Sequence, residues 1–147
     1  MTNKIKYMFS LSAIALLNIT PLNSSSALAQ EPYKVEVQEQ TGISFVTGGV
    51  GKDEKTALEA VQNSYNLRLI NADKVGHYSG DVHLIISDMK QNILLDTTSG
   101  PIFYANLPNG KYVVEGRVDS ESRKQNITIS DKKSDNVRFV WPQDSEE

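Results

Sequence analysis

The chain is predicted to be mainly β: a single antiparallel β-sandwich with one amphipathic helix near its N-terminal side. Three observations predict it. From Leu67 onward apolar residues alternate with polar ones in short runs, the period of a half-buried strand. Turn residues interrupt those runs about every ten residues, the rhythm of a sandwich rather than of a βαβ stack. Only residues 52–65 change period, with Ala57, Leu58, Val61 and Tyr65 at helical spacing.

The N-terminal residues speak first to compartment. Lys4 and Lys6 precede an apolar run over residues 8–19, and a small-residue stretch ends Ser26-Ala27-Leu28-Ala29. This is the layout of a cleaved export signal, with the A-x-A-like site placing the new terminus at Gln30. The apolar run is shorter than the roughly 20 residues a spanning helix needs. Residues 1–29 are therefore expected to be a signal peptide and the product to be periplasmic, with no membrane span after its removal. The sequence has no cysteine, so neither lipidation at a cleavage-site thiol nor a disulfide framework is available. Loss of the two leader lysines leaves 13 basic against 18 acidic residues. That balance disfavours nucleic acid, which rewards a clustered basic face. From Gln30 onward 118 residues remain, enough for one core and not two.

Residues 30–42 read as a polar lead segment, its one alternation (Tyr33, Val35, Val37) suiting an edge strand at most. Residues 43–46 form an apolar run ending at Thr47-Gly48-Gly49-Val50-Gly51. The helix follows, with Asp53 and Glu54 in its first turn, where negative charge suits the dipole. Asn66 is expected to end it in a left-handed conformation. Strands are predicted at 67–72, 82–86 and 93–98, with a turn at 88–92, and then at 103–107 and 112–118. The last two, separated by Pro108-Asn109-Gly110, are expected to pair as a hairpin, because Asn-Gly tolerates the backbone of a tight turn. A turn at 121–124, a strand at Ile127 and Ile129, a turn at 131–135 and a strand through Val137, Phe139 and Trp141 complete the domain, residues 43–142. Residues 143–147 are an acidic tail.

Residues 82–118 resemble the transthyretin-like module of carboxypeptidase regulatory domains. The likeness rests on a hydrophobic strand, the Asp88-led turn to Asn92, Gly100-Pro101, and Leu107-Pro108-x-Gly110-x-Tyr112-x-Val114. It extends more loosely to Trp141. Many relatives carry Gly where Asn92 stands, and Asn tolerates the same positive φ. The resemblance implies a sandwich fold without identifying a ligand, since the shared positions are turn and core residues. The Gly-Gly-Val-Gly segment with its helix resembles small exported bacterial proteins that carry this module.

Candidate chemistry is sparse. Gly51-Lys52 before a helix evokes a phosphate loop, but Val46 stands where the first glycine belongs and Asp53 where Ser or Thr belongs. A dinucleotide fingerprint fails at Glu54, and Asp53 with Glu54 would repel a phosphate. Asp81 and His83 share one strand face and lack a third metal ligand at sensible spacing. There is no nucleophile elbow, and the Tyr-Arg-Gly-Ser ending of the transthyretin-like purine-pathway hydrolase is absent. No metal, cofactor or catalytic residue is predicted. Binding residues are predicted in the loop after the first strand (Gly48, Gly49, Gly51, Asp53 and Glu54) and at Tyr104, an expected exposed ring. Tyr78, Tyr104, Tyr112 and Trp141 could together form a stacking platform for sugar, but Tyr112 and Trp141 share register with apolar neighbours and are assigned to the core. The expected role is a non-catalytic envelope module that binds a protein partner, with sugar or cell-wall glycan as the alternative and a hydrolase third.

Overall fold

The computed structural model describes residues 31–142; the expected leader at 1–29 and the tail at 143–147 lie outside the described residues. Nine strands follow in order: β1 (Gln38–Gln40), β2 (Ile43–Gly48), β3 (Leu67–Asp73), β4 (Val82–Asp88), β5 (Ile93–Ser99), β6 (Ile102–Asn106), β7 (Gly110–Val118), β8 (Glu121–Ile129) and β9 (Asp135–Trp141). One helix, α1 (Lys52–Val61), continues into a 3-10 turn at Gln62–Ser64. The strands form a five-stranded sheet, β1-β2-β6-β3-β9, and a four-stranded sheet, β5-β4-β7-β8. Their inner faces meet in one core that includes Phe45, Leu69, Leu84, Phe103, Val114 and Trp141. The expected sandwich with a single helix is therefore present. It departs from the expectation in one pairing, since β3 and β9 run parallel, from Leu67↔Asp135 to Asp73↔Trp141.

The predicted hairpin at Asn109-Gly110 does not form. β6 pairs with β2 and β3, whereas β7 pairs with β4 and β8, so residues 107–109 carry the chain from one sheet to the other. The reason lies in the apolar run Ile102-Phe103-Tyr104-Ala105, all four of which are buried. Phe103 and Ala105 face the inter-sheet core, while Ile102 and Tyr104 face a second cluster on the outer side, under Leu58 of α1. A strand covered on both faces belongs in the middle of a sheet, and β6 sits there.

Pairing in the hairpins that do form sets their turns. β1 and β2 turn through Thr41 (φ 52°) and Gly42 (φ 75°). β7 and β8 pair from Val118↔Glu121, so the turn is Asp119-Ser120 and residues 121–124, expected as a turn, are strand. In the β4–β5 turn Gln91, not Asn92, takes the positive φ, 66°. Asn92 instead donates through its backbone and side-chain nitrogens to the Asp88 carboxylate, at 2.9 Å each. Asn66 does not adopt the left-handed conformation expected at the helix end. Its side chain bridges to β6, accepting from Leu107 N (2.9 Å) and donating to Leu107 O (2.8 Å). Among the described residues no helix is long and apolar enough to cross a membrane.

Candidate functional site

The strand directions bring three connections to one end of the sandwich: Gly49–Gly51 between β2 and α1, Lys74–Asp81 between β3 and β4, and Gly100-Pro101 between β5 and β6. What fixes them is a polar network under the loops. Thr47 Oγ1 donates to Ile102 O (2.9 Å) and accepts from Gly100 N (2.8 Å). Asn71 donates to Gly100 O (3.1 Å) and Ser99 Oγ (3.3 Å), and accepts from Trp141 Nε1 (3.3 Å). Asn71 N donates to Pro101 O and Ser79 N to Asn71 O, which ties in the β3–β4 connection. Asn71 and Ser99 are fully buried, and no buried side-chain polar atom among the described residues lacks a partner. Such a network holds loop backbone in one arrangement, because opening it strands several buried donors and acceptors together.

Of the predicted residues, Gly48, Gly49, Gly51, Asp53 and Glu54 fall together at this corner. Gly48 and Gly100 pack backbone on backbone: a Cβ on Gly100 would lie 2.9 Å from Gly48 Cα and O. Gly49 has φ 96° and lies against Ile102. Gly51 is the residue before α1 and accepts from Lys55 N (2.9 Å). Glu54 folds back from the first turn of α1 over Gly48, where any Cβ would overlap its carboxylate. Tyr33 of the lead segment donates to Glu54 Oε1 (3.0 Å), and that bond holds its phenol above the ordinary tyrosine range. With a carboxylate already over Gly48, the corner suits no phosphate. Asp53 stands exposed beside it.

Tyr104 does not join this group. It is 2% exposed, packed beneath α1 against Tyr65 with ring centroids 6.1 Å apart. The expected exposed ring is buried because α1 covers the outer face of β6, which alternation along β6 could not reveal. Trp141 and Tyr112 are buried, as their register predicted.

Four residues that sequence reasoning did not assign to the site complete it. Tyr78, Gly80, Asp81 and Pro101, with Gly49 and Val50, line a cleft of about 320 Å³. Val50 is 83% exposed, Tyr78 43% and nearby Val75 62%. Lys55 Nζ sits 4.8 Å from the Tyr78 ring centroid. The available signal was the eight-residue polar stretch with Gly76 and Gly80 between two strong strands. Such a connection is long enough to shape a surface.

No protein-family model matches this sequence, and no curated protein does. Among solved structures, the Bacillus anthracis TIE protein aligns at 15% identity over 52% of this chain and 15% of its own, with a TM-score of 0.39. This chain thus spans under a sixth of that protein's length, and a likeness so low carries nothing about function.

The histidines are engaged separately. His77 Nδ1 lies 3.1 Å from Asp73 Oδ2, and His83 Nε2 lies 2.6 Å from Asp96 Oδ1 on β5. Asp81 precedes β4 with φ 57°, so it does not share the strand face of His83 as expected. Among the described residues no three His, Asp or Glu side chains gather as a metal site. The chemistry this corner offers is contact: a cleft of mixed polar and apolar lining, with exposed Val50 at its edge, on a backbone held from below.

Proposed function

We propose that the protein is an exported, transthyretin-like sandwich module that binds a protein partner in the cell envelope, without catalysis, through the 48–54 and 74–81 corner. The observation that carries this reading is Val50, a large apolar residue left 83% exposed at the mouth of a cleft whose walls a buried network holds. Exposing such a side chain on a fixed loop gains nothing in the free protein, whereas burying it on association contributes about 25 cal/mol per Å² of apolar area. The sandwich with its Asp88-led turn and Gly100-Pro101 crossover supports the transthyretin-like assignment, and the leader pattern supports export.

The glycan alternative rests on Tyr78 as a stacking ring in place of Tyr104. It is weaker because the other candidate platform rings, Tyr104, Tyr112 and Trp141, are all buried. Affinity purification from envelope extract, with wild type and Val50→Asp side by side, separates the two. A stoichiometric protein retained by wild type and lost by the variant supports the proposal. Glycan-array signal that disappears in Tyr78→Ala, with no protein retained, would replace it. Intact mass tests the export reading: the envelope form is expected to begin at Gln30, and a retained leader would contradict it.

A further inference from the structure

The sequence contains four arginines, and the structure divides them in two. Arg117 pairs with Glu115 at 2.7 Å and Arg123 with Glu121 at 2.8 Å, both on the four-stranded sheet. Arg68 and Arg138 make no ion pair among the described residues, and both line the same groove. It runs on the outer face of β3 and β9, beside the 3-10 turn, with a volume of about 220 Å³. Register puts them on adjacent strands, with Arg68 opposite Asn136 and Arg138 opposite Ile70. The two arginines thus stand one residue pair apart along the same outer face, and with no described carboxylate bonded to either they leave positive charge in the groove that an anion would offset. The neighbouring carboxylate, Glu59, is held by Lys55 at 3.6 Å and does not line the groove.

The lining holds neutral donors and no carboxylate. Arg68 uses Nε on Gln62 O (3.1 Å) and Nη2 on Asn63 Oδ1 (3.3 Å), which fixes its fork and leaves its other N–H groups unspent. Tyr104 borders the groove, and its hydroxyl bonds to no described residue. Since no side-chain polar atom among the described residues is both buried and unpartnered, that hydroxyl is not sealed from solvent although the ring is buried. Burial raises the pKa of this phenol, so it stays a neutral donor at physiological pH. Ile70 provides an apolar surface among these donors.

We propose that this groove binds a carboxylate carrying a short apolar body, with Arg138 and Arg68 on the oxyanion, Tyr104 and Asn136 as neutral donors, and Ile70 under the apolar part. Guanidinium forks match the two oxygens of a carboxylate. The volume falls below the roughly 300–1,000 Å³ typical of drug-sized ligands, so the occupant is a small acid or one terminal residue of a chain.

The test is NMR titration of the full chain, following the arginine side-chain N–H and Ile70 methyl signals. Isovalerate is expected to shift Arg138, Arg68 and Ile70 together, and isovaleramide, the neutral isostere, to bind at least about tenfold more weakly. Arg138→Gln, at an exposed strand position, is expected to lower isovalerate affinity at least about tenfold with an unchanged melting temperature. Tyr104→Phe keeps the ring packing and is expected to weaken binding by a smaller factor. N-acetyl-Ala-Leu distinguishes the sources: tighter binding than isovalerate indicates a peptide terminus, weaker binding a free acid. Equal binding of isovaleramide, indifference to Arg138→Gln, or response to inorganic phosphate alone would each overturn the proposal.

Discussion

Asn71 and Thr47 each join three groups beneath the candidate site, and Asn71 alone of the two reaches Trp141. The Asn71 amide touches Ser99 at the end of β5, Gly100 in the β5–β6 connection and Trp141 at the end of β9. Asn71→Ala would leave Trp141 Nε1 without its partner in the interior, while Ser99 Oγ keeps Gly100 O and Thr47. Orphaned buried groups cost about 1–3 kcal/mol each, so the midpoint of urea unfolding is expected to fall clearly. An unchanged midpoint would show that the network does not hold the loops. Trp141 tests the same junction from the core side. It is 1% exposed, packs edge-on against Phe139 at 6.0 Å, and fills the space left by Gly116, where a Cβ would lie 2.9 Å from the indole. Trp141→Ala is expected to cost about 3–5 kcal/mol, and the native emission to be blue-shifted and poorly quenched by iodide. A red, readily quenched spectrum would contradict its placement. The burial of Trp141 was legible because Val137, Phe139 and Trp141 stand two residues apart. Tyr104 was not, because its neighbours differ on the two faces of β6 and only the packing of α1 decides that the outer one is covered.

At the scale of elements, turn chemistry was read more accurately than strand partnership. Asp88 organises the β4–β5 turn as expected, accepting from Lys90 N at 2.8 Å and from both nitrogens of Asn92. The Asn92 side chain foremost holds the Asp88 carboxyl below its ordinary pKa, and Arg117 foremost does the same for Glu115. Both groups are more acidic folded than unfolded. Their stabilisation is therefore present above the unfolded carboxylate range and is lost as pH falls through the folded values. Thermal midpoints are expected to be flat near neutrality and to drop below about pH 4, with a shallower drop in Asp88→Asn. Identical pH profiles for variant and wild type would count against the Asp88 assignment. Asn109-Gly110 shows the other side. The residues look like a hairpin turn, yet neighbouring strands in sequence join different sheets, and no local signal separates a turn within a sheet from a crossing between two. Gly110 has a positive φ, 159°, that a side chain rarely adopts, and a Cβ there would meet Tyr112 Oη at 3.3 Å. Gly110→Val is therefore expected to cost about 1–3 kcal/mol through backbone strain and crowding of Tyr112, although no hairpin turn is there, and an unchanged thermal midpoint would contradict this.

Across the whole molecule the two sheets are treated unequally. The five-stranded sheet packs its inner face on its partner sheet and is covered by α1 on the outer face of β2 and β6, with Val35 of the lead segment tucked against the helix cluster, while β9 leaves its outer face open. The four-stranded sheet carries ion pairs on its outer face, where Glu115 meets Arg117 and Lys124. Fold class, helix and most strand positions were legible because they depend on period and turn residues. The site was legible only in part: the Gly-rich corner announced itself by composition, while the Tyr78–Asp81 wall depends on which connections the topology brings to one end. The most direct test of the binding claim is site-specific photo-crosslinking in the exporting cell, with a photoreactive residue at Val50 or at Lys90, which lies in the β4–β5 turn at the opposite end. The account predicts one discrete protein adduct from position 50 and none from position 90. No adduct from position 50, or the same adducts from both positions, would contradict it.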